Sequence, residues 1–189
     1  KLALSASWDC TCILWNTSDG LPVHVLKGHS RVLSSCALSA DGKIALSASW
    51  DWTCTLWNGS DGTPICTLKN HDDKVESCCL SADGRLAFTA SWDKTCILWD
   101  TFKGTTIQRF KGHASRIYGS ALSAEGKLAI SASSDKTCIL WKTRTSIADH
   151  TSLSCAALSR DLGPRFKMIH TEISIALFGH DFFSLQSNQ

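Results

Sequence analysis

Apolar and small polar residues alternate along Lys43–Ser49 (KIALSAS). A short β-branched and aromatic run, Thr53–Trp57 (TCTLW), follows. Period-two alternation in runs this short predicts strands, and no segment sustains a helical period. Asp41-Gly42, Asp83-Gly84 and Glu125-Gly126 join two such runs and predict tight hairpin turns. Ser18–Gly20 and Ser60–Gly62 mark a second turn after a tryptophan. The whole arrangement recurs. SASWD at Ser5–Asp9 returns at Ser47–Asp51, as TASWD at Thr89–Asp93 and as SASSD at Ser131–Asp135, each time 42 residues on. Residues 1–42 and 43–84 are identical at about two-thirds of positions. Each unit therefore reads as four short antiparallel strands, a to d, with punctuated turns.

Composition narrows the class. The 189 residues are 43% hydrophobic and 19% charged with a formal net charge of +2, a globular balance without a basic run. Neither a nucleic-acid nor a membrane partner is expected from it. The longest apolar stretches fall far short of a bilayer span, and no signal-peptide pattern opens the chain. Ten cysteines suggest disulfides or metal, but Cys12, Cys54, Cys96 and Cys138 hold one repeat position, and Cys36 and Cys78 another. Repeat-equivalent cysteines are expected to fill small buried apolar sites. Cys10-x-Cys12 occurs in one repeat only, so no metal or cofactor is expected. Many thiols without a secretory signal point to an intracellular, reducing compartment, the cytoplasm first and the nucleus left open. The chain opens on Lys1 and its single methionine is Met168, the expectation for a fragment, a processed product or an incomplete gene model.

A period near 40–45 residues is that of propeller blades, in which sheets stacked around an axis cover one another's faces. The units resemble WD40 repeats. A Gly-His mark stands at Gly28-His29 and Gly112-His113, with Asn70-His71 as a variant, and a tryptophan ends strand c at Trp15, Trp57, Trp99 and Trp141. Only Trp99-Asp100 keeps the full WD dipeptide. The resemblance implies an all-β, WD40-type β-propeller, here a partial one of about four to five four-stranded blades. Residues 1–147 would be WD40 repeats, the first lacking strand a, and 148–189 a degenerate fifth repeat and C-terminal tail.

The resemblance also implies a hydrogen-bonded set of His, Ser or Thr, Asp and Trp in each blade. By motif these are His29, Ser49, Asp51 and Trp57; His71, Ser91, Asp93 and Trp99; and His113, Ser133, Asp135 and Trp141, with Ser7, Asp9 and Trp15 incomplete. Such a set satisfies four buried polar groups at once. The same residue types suggest a Ser/His/Asp hydrolase, but an active site is rarely copied into every repeat, and no G-x-S-x-G is present. The phrase is architecture.

The residue before the aspartate is Trp8, Trp50, Trp92 and Ser134. In WD40 propellers this position lies on the face of the b–c turns and d–a loops, the usual partner surface. Lys74, Glu76, Arg116 and Tyr118, with Val32 and Ser34, reach the same face, and Trp52, Lys94 and Lys136 follow the aspartate. Two roles fit the rings: binding a protein or peptide partner, or covering the neighbouring blade. The chain reads as a non-catalytic protein-interaction scaffold, or else as the recognition module of a larger regulatory or receptor protein. An open arc of blades also predicts self-association through its ends.

Overall fold

The computed structural model describes residues 1–143, and these form fourteen strands in four antiparallel sheets. The first sheet holds β1 (Leu2–Ala6), β2 (Thr11–Asn16) and β3 (Pro22–Lys27). The second holds β4 (Leu33–Leu38), β5 (Ile44–Ser49), β6 (Thr53–Asn58) and β7 (Pro64–Lys69). The third holds β8 (Val75–Leu80), β9 (Leu86–Ser91), β10 (Thr95–Asp100) and β11 (Thr105–Lys111), and the fourth β12 (Ile117–Leu122), β13 (Leu128–Ser133) and β14 (Cys138–Lys142). Each sheet is a meander in chain order. Two units thus show the full a-to-d set, and the first begins at strand b, as its sequence predicts. The proposed strand d of the fourth unit and the degenerate fifth repeat lie outside the described residues.

The hairpin turns follow their chemistry. Between β4 and β5, Gly42 N–H donates to the Ser39 carbonyl at 2.9 Å, and Gly42 sits at φ 72°, where a side chain would be strained. The Asp41 carboxylate accepts from the Ser39 hydroxyl at 2.7 Å and the Lys43 amide at 3.0 Å, closing the loop locally.

Strand alternation explains how four sheets make one core. Leu46 and Ala48 on β5, with Cys54 and Leu56 on β6, point towards the third sheet and meet Val75, Cys78, Ala87, Ile97 and Trp99. The opposite face of the second sheet, Ala45 and Trp57 with Leu33, meets Cys12 and Leu26 of the first. Phe88, Ala90, Cys96, Leu98 and Phe110 of the third sheet meet Ile117, Ala129 and Trp141 of the fourth. One interface is therefore built three times, with the strand-c tryptophan of each blade laid on the blade before it. Full burial of such a side chain contributes about 1.5–3 kcal/mol. Cys12, Cys54 and Cys96 are buried, filling the small sites expected of them, and burial pushes the Cys54 and Cys96 thiols well above their ordinary pKa. Main-chain bonds also tie the blades together: Ala40 N–H donates to Ala82 O at 3.0 Å, and Ala82 N–H to Ala124 O at 2.9 Å.

The ends of the arc differ from its middle. Trp57 and Trp99 are buried, whereas Trp15 is only half-buried and Ser5 beside it is exposed. Ile130, Ala132, Cys138 and Leu140 repeat the positions of the buried Leu46, Ala48, Cys54 and Leu56, yet all four are half-buried.

Candidate functional site

Each of the three later blades carries a closed polar chain. In the second, Trp57 Nε1 donates to Ser47 Oγ at 2.8 Å, Ser47 Oγ lies 2.8 Å from His29 Nε2, and His29 Nδ1 lies 2.8 Å from Asp51 Oδ2. An indole N–H can only donate and an ionised carboxylate can only accept. The imidazole therefore gives its Nδ1 proton to Asp51, and its Nε2 meets the Ser47 hydroxyl that takes the indole proton. The third blade repeats this with Trp99, Thr89, His71 and Asp93 at 2.9, 2.8 and 2.7 Å. The fourth uses Trp141, Ser131, His113 and Asp135, each step at 2.8 Å.

The hydroxyl member differs from the sequence expectation. It is not Ser49, Ser91 or Ser133 but Ser47, Thr89 and Ser131, two residues earlier. In the first sheet it is Ser5 rather than Ser7 that accepts from Trp15 Nε1, at 2.8 Å. Register gives the reason. Trp57 pairs with Ala45, so its ring reaches diagonally to Ser47 on the same face of β5. Ser49, at the end of the strand, is used by the turn: its hydroxyl donates to Val32 O at 3.0 Å and accepts from Asp51 N–H at 3.1 Å. Ser91 and Ser133 do the same work, bonding Asp73 O and Arg116 O and accepting from the amides of Asp93 and Asp135.

Burial alone would raise the Asp51 carboxyl, but hydrogen bonds from His29 and Thr53 outweigh it and hold the group well below the usual carboxylate range. The same balance holds for Asp93, with His71 and Thr95, and for Asp135, with Thr137 and His113. Arg109 was not foreseen from the sequence. Its Nη1 stands 3.7 Å from Asp93 and 3.8 Å from Asp72, and its Nη2 donates to Asn70 O. The Ser–His–Asp geometry has the connectivity of a nucleophilic triad, but Ser47 and Thr89 are fully buried and Ser131 nearly so, each capped by an indole N–H. A nucleophile needs substrate access, which these hydroxyls lack.

On the face of the b–c turns (the β1–β2, β5–β6, β9–β10 and β13–β14 connections) the rings form a row. Trp8 and Trp50 have centroids 6.1 Å apart, Trp50 and Trp92 5.7 Å, and Trp92 and Tyr118 6.0 Å. Lys74 Nζ lies 3.9 Å from the Trp50 centroid and 4.3 Å from that of Trp92, and Arg116 Cζ lies 4.3 Å from Trp92. Trp50 Nε1 donates to Glu76 Oε2 at 3.0 Å. Burial pushes the Glu76 carboxyl up, partly opposed by the Trp50 indole. Trp92 Nε1 is buried and completes no hydrogen bond of its own. Each ring thus leans over the next blade. The repeat explains the gradient along the row. Trp50 and Trp92 have long side chains from the following blade beneath them and are half-buried, whereas Trp8 has Val32 and Ser34 at those positions and is 75% exposed. Trp52, Lys94 and Lys136 project from the turns at φ 74°, 69° and 68° and join no ring pair; Tyr118 and Trp52 are each about half exposed.

Repeated antiparallel sheets of three or four described strands, three of them pinned by a Trp–hydroxyl–His–Asp chain, are the blades of a β-propeller. A family profile described as "WD domain, G-beta repeat" matches residues 20–58, 62–100 and 104–142, more than half of the chain, which therefore belongs to the WD-repeat family. "MST50-interacting protein 11" of Pyricularia oryzae is 47% identical over 47 residues, covering 22% of this chain and 15% of that protein. The solved structure of U3-55K superposes with a TM-score of 0.71 at 22% identity, over 75% of this chain and 45% of that one. At that identity the shared property is the fold. The chain spans well under two-thirds of the length of either.

Proposed function

We propose that this chain is a non-catalytic scaffold that binds a protein partner on the face of its b–c turns and d–a loops. The observation that carries the reading is the row Trp8–Trp50–Trp92–Tyr118, which is solvent-open at Trp8 and Tyr118 and flanked by the exposed Trp52. Preformed aromatic surface is what binding hot spots are made of. Lys94 and Lys136 supply positive charge at the rim, which acts on association rate more than on affinity. Lys74 and Arg116 are occupied by the rings, so they pre-organise the row rather than await a partner's carboxylate. WD-repeat proteins generally bind proteins, and the relative named as an interacting protein fits this role.

The test is quantitative capture by the full chain from a lysate, compared between the native chain, Trp8→Ala/Trp52→Ala, and a control at Phe102, which is 94% exposed on the c–d turn at the opposite rim. Partners lost in the double variant and kept by Phe102→Ser support the reading. Equal retention in both, or equal loss, rejects it. The second reading is the recognition module of a larger regulatory or receptor protein. Expression of the native gene product, sized on a denaturing gel, tests this. An intracellular setting, the cytoplasm first, is proposed for a chain this rich in thiols; imaging of the tagged full-length product tests it.

A further inference from the structure

The Trp50–Trp92 pair holds a cation of the chain's own. Its rings are 5.7 Å apart at 50°, and the Lys74 ammonium sits against both. One blade earlier, Trp8 and Trp50 form a pair of almost the same geometry, 6.1 Å apart at 46°. The residue at the repeat position of Lys74 there is Val32. One blade later that position is Arg116, again over a ring. The chain therefore fills this seat itself in two blades, and in a third offers a ring pair in which Trp50 already carries Lys74 and Trp8 carries no cation. Among the described residues no cation lies over Trp8. Trp8 is open to solvent, and Asp9, next to it in the chain, is exposed as well. Arg31, exposed beside Val32, and Lys74, already over Trp50, are the like charges a guest would have to avoid; Trp92 shows that one ring can face two cations, Lys74 and Arg116.

We infer that the Trp8–Trp50 ring pair is the seat for a lysine or arginine side chain of the partner protein, which takes the place that Lys74 holds one blade on. The inference rests on the proposed binding face and names the chemistry one part of it recognises. A cation held by an indole face gains from the ring quadrupole, and a neutral side chain of equal length does not. The seat reads charge at that point, and the rest of the row supplies area.

The full chain, carrying 15N-labelled tryptophan, is titrated with the blocked peptide acetyl-Gly-Lys-Gly-amide and with the same peptide acetylated at Nε, and the indole N–H signals are followed by NMR. The charged peptide is expected to move two indole signals. One of them disappears in Trp8→Ala, which also abolishes the response. The acetylated peptide should bind about two- to fivefold more weakly, the range of an exposed cation–ring contact. Val32→Lys gives the chain its own cation at the seat and is expected to remove the response while keeping the fold. Equal binding of both peptides overturns the inference, as does a response undiminished by Val32→Lys or Trp8→Ala, or no response at all. Loss of the seat with capture by the face intact leaves the broader reading standing. A working seat with capture unaffected by Trp8→Ala/Trp52→Ala sinks the broader reading and leaves the seat.

Discussion

Thr89→Val removes one hydroxyl and almost no volume, so it isolates the polar chain of the third blade. Thr89 is fully buried, accepts from Trp99 Nε1 at 2.9 Å and lies 2.8 Å from His71 Nε2. The substitution leaves a buried N–H and a buried imidazole nitrogen without partners. Each such orphan costs about 1–3 kcal/mol, so the sum is about 2–6 kcal/mol. Ser91→Ala is the comparison. Its hydroxyl, as buried as that of Thr89, serves Asp73 O and Asp93 N–H, main-chain groups of two half-buried turn residues, and touches neither Trp99 nor His71. A cost of about 1 kcal/mol is expected there. Urea denaturation at neutral pH, followed by tryptophan fluorescence, measures both, and the Trp99 indole proton signal reports the local effect. Thr89→Val should shift that signal and Ser91→Ala should not. A Ser91→Ala cost equal to or above that of Thr89→Val, with an unmoved Trp99 signal in the latter, would refute the assignment of the hydroxyl.

Trp52 holds φ 74° without being glycine, a conformation that costs an L residue roughly 1–2 kcal/mol; Trp52→Gly should raise stability in a denaturant melt by up to about 1 kcal/mol after the added chain entropy. Asp51, Asp93 and Asp135 have folded pKa values below their unfolded ones, so their stabilisation is complete above the ordinary carboxylate range, near pH 4, and is lost as pH falls below it. A melting series from pH 7 to pH 2 should be flat at first and then fall, and Asp93→Asn should lower the plateau while flattening the fall. The half-buried faces at the two ends, Ile13 and Trp15 at one and Ile130 and Leu140 at the other, are the two halves of the interface seen between blades. Light scattering of the 189-residue chain should show concentration-dependent association that Leu140→Asp reduces.

The fold was legible because one pattern was written several times. Alternation in KIALSAS, Asp-Gly at the turns and a tryptophan at each strand-c end all agree, and a 42-residue step leaves little choice of architecture. The polar chain was legible except for its hydroxyl. Ser47 and Ser49 are both serines on one strand face, and only the pairing of Trp57 with Ala45 decides between them. A diagonal-pair argument from the hairpin register could have found it. Arg109 gave no signal, because its partners lie in other elements and no other repeat has an arginine at its position. Trp8, Trp50, Trp92 and Tyr118 form one row. Their unequal exposure depends on what the next blade puts beneath them, and only comparing Val32, Lys74 and Arg116 as repeat equivalents exposes it.

The interface between blades has the same partners at each junction, so the blades behave as interchangeable links. Excising or duplicating a 42-residue stretch would rejoin a Leu–Ala–Cys–Leu type of face to a tryptophan face and leave the core chemistry intact. What such an event would alter is the outer row, since each added unit brings one more position before the aspartate and one more beneath it. A lineage could thus rewrite this row by unequal exchange of whole repeats, without passing through an unfolded intermediate sequence. The core and the outer row are carried by different letters of the same repeat, and can drift at different rates.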